Sequence, residues 1–166
     1  MATSEAPVGA QPRSYRGALA KAGRLLARRP HSAAELQERL EAAGFEPAAI
    51  EGAMRRLTEL GLVDDRDFAD AWIEHRARRG LSGSAIRREL GARGVDPPVA
   101  EEALERAGLD DGARARGLAA AWVARVARLP LERQAARLQG ILLRRGFEPE
   151  VAEAATRAVL PPAGWD

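Results

Sequence analysis

Gly44-Phe45-Glu46-Pro47, Gly94-Val95-Asp96-Pro97 and Gly146-Phe147-Glu148-Pro149 are three versions of one signature. The glycines stand 50 and then 52 residues apart, and each proline is followed four residues later by a glutamate: Glu51, Glu101, Glu153. Working outward, an aliphatic residue lies eight positions before each glycine (Leu36, Ile86, Leu138) and a leucine four before it (Leu40, Leu90, Leu142). Further upstream, Arg28-Arg29-Pro30 matches Arg78-Arg79-Gly80, and Trp72 matches Trp122. A period of this length is the mark of a helical repeat. The two extra residues of the third copy fall between Pro130 and Gly146.

Each copy reads as three helices. Phe68, Ala69, Trp72 and Ile73 follow the helical stripe, as do Leu118, Ala119, Trp122, Val123 and Val126. Leu19, Ala22, Leu25 and Leu26 form a weaker version in the first copy. The second helix opens at Ser32, with Glu35 three residues on completing a capping box, and at Ser82 in the second copy. It ends at the repeated glycine, which suits a left-handed C′ position. The third begins with Glu46, Asp96 or Glu148 in the cap region and proline at N1, where a missing N–H costs nothing. Asp96 is the better cap of the three. Nothing alternates with period two, so no strands are expected. The predicted fold is all-α, an elongated and curved tandem array of three three-helix repeats: 15–62, 63–109 and 110–160. Residues 1–14 and 161–166, the latter including Trp165, read as disordered tails.

Composition excludes several classes. Apolar residues make up 46% of the 166 and charged residues 30%, which rules out a disordered chain. No apolar run is long enough to span a membrane, and no secretory signal is visible, so the expected location is the cytoplasm. There is no cysteine, and the two histidines, His31 and His75, have no partner at ligand spacing. The isoelectric point of 9.8 accompanies a net charge of only +2, because 25 of the 26 basic residues are arginine. No nucleotide-binding, hydrolase or metalloprotease motif occurs. The reading is a protein without catalytic residues, metal or cofactor. Asp64, Asp65, Asp67 and Asp70 lack the glycine of a calcium loop and read as helix caps. Trp72 and Trp122 read as core residues.

The arginines are the candidate binding residues: Arg76, Arg78, Arg79, Arg87 and Arg88 in the second copy, with Arg93 nearby, and Arg144 and Arg145 in the third. Arg87 and Arg88 project off the stripe of Ile86 and Leu90, where the first copy has Gln37 and Glu38. Acidic and basic clusters side by side suit a protein partner of mixed charge better than bare DNA.

The stretch L-G-L-V-D-D-R-D-F-A from Leu60 to Ala69, with R-R-G-L-S-G from Arg78 and I-R-R-E-L-G-A-R-G-V from Ile86, resembles the RecX family of RecA regulators. The frame of Leu36, Leu40 and Gly44 fits upstream, and L-L-R-R-G-F from Leu142 fits downstream. The resemblance covers about residues 18–160 and implies tandem three-helix modules that dock on the RecA–single-stranded DNA filament. It further implies restraint of that filament's ATPase, strand exchange and coprotease activities, and hence regulation of DNA repair, homologous recombination and the SOS response. The partner expected is RecA, with at most weak contact to single- or double-stranded DNA, and the protein is expected to be a monomer. The alternatives are a stand-alone DNA-binding helical module and an unrelated helical scaffold.

Overall fold

In a computed structural model of the chain, residues 14–160 are described, and among them there are nine helices and no strand. They are α1 (Tyr15–Leu26), α2 (Ala33–Ala42), α3 (Pro47–Glu59), α4 (Asp65–Arg78), α5 (Gly83–Ala92), α6 (Pro97–Ala107), α7 (Asp111–Val126), α8 (Leu131–Arg144) and α9 (Pro149–Val159). The all-α reading holds. The two expected tails lie outside the described residues, except for Ser14. That residue N-caps α1, its hydroxyl accepting from the Gly17 N–H.

The packing forms two compact units, one running to Phe68 and including Arg93–Val95, the other holding residues 69–92 and 96 onward. In the first, Ala18 and Ala22 of α1 are fully buried against Leu36, Leu40, Ile50, Ala53 and Leu57. Alanines at these positions let α1 approach α3 closely. In the second, Ala115 and Ala119 of α7 play that part against Leu142, Phe147, Ala152 and Ala155.

The repeated glycine does what its position predicts. Gly44, Gly94 and Gly146 have φ of 79°, 73° and 84°. At Gly44 the Phe45 N–H bonds the Leu40 carbonyl and the Gly44 N–H bonds the Glu41 carbonyl; Phe147, Gly146, Leu142 and Leu143 repeat the pattern. The third helix then starts on its proline as expected. Asp96 makes no side-chain cap bond, nor do Glu46 and Glu148, so the expected advantage of aspartate there is not used.

Serine at the start of α2 and α5 has two tasks. Ser32 Oγ accepts from the Glu35 N–H at 3.1 Å and donates to the Arg93 carbonyl at 2.5 Å. Ser82 Oγ accepts from the Ala85 N–H at 3.0 Å and donates to the Gly146 carbonyl at 2.6 Å. Both serines are fully buried. A carboxylate completes each seat: Asp65 accepts from the Ala33 N–H and Asp111 from the Gly83 N–H, both at 2.8 Å. The expected capping box is therefore half formed. Glu35 does not reach back to the backbone, because the Arg29 and Arg93 guanidiniums engage its carboxylate and are the stronger, charged donors.

Two groups at the first seat make folding sensitive to acid. Burial lowers the pKa of His31 below its ordinary 6.5, outweighing the hydrogen bond of Nδ1 with the Arg29 carbonyl. Burial pushes the Glu35 carboxyl up, but Arg29 and Arg93 outweigh it and hold it below 4.5. The unfolded chain binds the extra proton at both sites, so stability falls with falling pH at both. The urea midpoint is expected to drop as pH goes below about 6.5, and again as pH falls from about 4.5 through the folded value of Glu35. His31→Gln should flatten the upper segment and leave the lower one. An unchanged upper segment would remove His31 from this account.

Candidate partner-binding face

Helix α4 has three basic residues in its last turn, α5 carries two arginines on consecutive residues, and α8 finishes with Arg144 before Arg145. The structure separates these arginines by what their guanidiniums touch. Arg76 is half-buried and binds Glu89 through two nitrogens, Nε at 2.5 Å, while its guanidinium lies 5.2 Å from the centre of the Trp72 ring. Trp72 Nε1 donates to the same carboxylate at 3.0 Å. Arg78 pairs with Glu74 one turn back. Arg87 is exposed, as its position predicts, but grips Glu101 at 2.5 and 3.0 Å. Arg145 donates to the Arg79 backbone carbonyl. Each of these four guanidiniums thus has a partner within the chain, at the exposed surface for Arg78 and Arg87 and half-buried for Arg76.

Arg79, Arg88 and Arg144 make no ion pair among the described residues, and all three side chains are exposed. Arg88 reaches over Gly146: its Nη2 would lie 3.2 Å from a Cβ at that glycine. Arg88, Arg144 and Arg145 thereby border one open cleft of roughly 350 Å³ between α5 and the end of α8. Its carboxylate, Glu89, is already held by Arg76 and Trp72, so the charge facing solvent there is positive.

Two further arginines belong to this surface and were not singled out from the sequence. Arg133 and Arg137 are exposed and share a face of α8 with Arg144, at i, i+4 and i+11. That spacing was readable; Glu132 beside it and the weaker match of the third copy hid it. Two other expectations change. Trp72 and Trp122 are half-buried rather than core, and each carries an arginine on its ring, Arg125 standing 4.5 Å from the Trp122 centroid. Asp64 does cap its own helix, accepting from the Arg66 N–H at 2.7 Å, but Asp65 serves α2 and Asp70 pairs with Arg106 at 2.9 Å.

Among the described residues no group of acidic residues and histidines is placed to hold a metal. None of the described helices is long and apolar enough to cross a membrane.

Comparison with known proteins adds what the geometry cannot. Family models described as the first and second three-helix domains of RecX match residues 18–57 and 64–104, which take in most of α1–α3 and of α4–α6. The chain belongs to the RecX family. Among proteins named Regulatory protein RecX, one from Thermus thermophilus is 52% identical over 62 residues, covering 37% of this chain and 43% of the relative. That of Chlorobium phaeobacteroides is 45% identical over 56 residues, 34% of this chain and 37% of the relative. The matched stretch thus spans less than half the length of these curated relatives. The crystal structure of RecX from Lactobacillus salivarius superposes with a TM-score of 0.75 over 87% of this chain and 96% of its own, at 18% identity. At that identity the likeness concerns the fold.

Proposed function

We propose that this RecX-family chain binds the RecA–single-stranded DNA filament in the cytoplasm and restrains its ATPase, strand exchange and coprotease activities. In this reading it works as a non-enzymatic regulator and as a monomer, within the control of recombination, DNA repair and the SOS response. Family membership supports the partner. The observation that carries the site is the set of unpaired arginines, Arg79, Arg88 and Arg144, standing among others whose charge is already engaged by Glu74, Glu89 and Glu101. A guanidinium without an internal partner loses least on meeting an external one.

The test is the DNA-dependent ATPase of the cognate RecA with the protein titrated in. Wild type is expected to inhibit. Arg88→Glu with Arg144→Glu is expected to raise the concentration needed by about tenfold or more, while the melting temperature moves little because exposed substitutions change stability by only about 0.5 kcal/mol. Arg87→Ala, which breaks a pair already satisfied within the chain, should matter less. Inhibition by the double variant at wild-type concentrations would remove this face from the contact. The stripe of Arg133, Arg137 and Arg144 favours a second reading, DNA binding on its own. A steep loss of affinity for naked DNA with added salt would support that reading.

A further inference from the structure

The chemistry of the α5–α8 cleft says more about its occupant than charge alone. Three guanidiniums border it, and its carboxylate is neutralised from within by Arg76. Arg145 is fixed by its bond to the Arg79 carbonyl, so this charge is already ordered before anything binds. Between the arginines the surface is aliphatic. Leu81, Ala85 and Ala92 line the cleft, and Leu143 stands at its edge 47% exposed, one of few large apolar side chains in the described residues so placed. A leucine held in solvent beside Arg144 has no use for a phosphodiester backbone, which offers it no apolar contact. Nor is any aromatic ring among the lining residues for a base to stack on. The volume of roughly 350 Å³ lies at the small end of ligand clefts, room for a few side chains rather than a folded surface.

We infer that this cleft is a docking site for a short acidic peptide segment that alternates carboxylates with aliphatic side chains. The carboxylates face Arg88, Arg144 and Arg145, and one aliphatic side chain covers Leu143. Guanidinium and carboxylate match in bidentate geometry, and the rim supplies two such forks without an ion-pair partner among the described residues, Arg88 and Arg144, with the positive charge of Arg145 held beside them. The inference rests on the proposed regulatory role only in taking the segment to come from the filament protein. The recognition chemistry stands without it.

The experiment uses the full chain and fluorescence anisotropy with four labelled probes: a peptide alternating aspartate with leucine, its twin with serine for leucine, a lysine–leucine peptide, and an oligothymidylate of matched charge. The aspartate–leucine peptide is expected to bind best. Arg88→Glu with Arg144→Glu should weaken it about tenfold or more. Leu143→Ser should weaken the aspartate–leucine peptide several-fold and leave the serine twin and the oligonucleotide unchanged. Tighter binding of the oligonucleotide, indifference to Leu143→Ser, or no binding of the aspartate–leucine peptide would each overturn the inference. The RecA ATPase titration is run on the same variants. Peptide binding that wild type shows and the variants lose, with no RecA inhibition by wild type, supports the cleft and removes the filament reading. RecA inhibition lost in the variants without peptide binding overturns the cleft and leaves that reading standing.

Discussion

Gly146→Val is expected to destabilise the protein by about 3–5 kcal/mol, combining left-handed strain with overpacking. The strain comes from φ of 84°, which a β-branched residue adopts poorly. The overpacking comes from its surroundings: a Cβ there would sit 2.5 Å from Ala85 Cβ and 2.9 Å from Ser82 Oγ. Gly94→Val should behave alike, because its Cβ would fall inside contact distance of Ala34 Cβ. Gly44 is the built-in comparison. It has a similar φ, but no described residue lies within 4 Å of an added Cβ, so Gly44→Val should cost only about 1–2 kcal/mol of strain. Urea unfolding of the three variants decides it. Equal losses at all three would mean that only the backbone conformation matters and the close approach contributes nothing.

The second large effect belongs to the serines. Ser82→Ala removes an acceptor from the Ala85 N–H and a donor from the Gly146 carbonyl in a fully buried place. Loss of the cap costs about 1 kcal/mol, and a buried group left unsatisfied adds about 1–3 kcal/mol. The expected total is therefore about 2–4 kcal/mol. Combining Ser82→Ala with Gly146→Val should give less than the sum, since each disturbs the same seat. Strict additivity by urea unfolding would show that the two groups act separately.

Much of this fold is legible in the residues themselves. Helix ends announce themselves locally: Gly44, Gly94 and Gly146 stop one helix, and Pro47, Pro97 and Pro149 start the next, because φ preference is a property of the residue. Partners distant in sequence are not legible in that way. Ser32 reads as a cap from its neighbours, but its second bond goes to a carbonyl 61 residues away. Glu35 has the capping-box spacing yet is claimed by Arg93, 58 residues on. The candidate site shows the same division. Exposure of Arg87 and Arg88 follows from the helical stripe, whereas the pairing of Arg87 with Glu101 and of Arg76 with Glu89 depends on which helices meet. Only the packed structure separates a committed guanidinium from an available one.

The serine seat also has a direction. Its receiving half, a left-handed glycine, is repeated at Gly44, where no described residue lies within 4 Å of an added Cβ. Its giving half is absent from the start of α8. There Pro130 precedes the helix with no side-chain cap. Gln134, twelve residues before Gly146 as Ser82 is before Gly94, lies within the helix and donates to the Leu129 carbonyl at 2.7 Å. Two molecules therefore cannot link the beginning of one α8 to the Gly44 of another by this device. With two extra residues ahead of Gln134, the succession of serine seats ends at α8. Duplication could lengthen the chain on the Gly44 side with the existing chemistry, and on the other side only by restoring a hydroxyl.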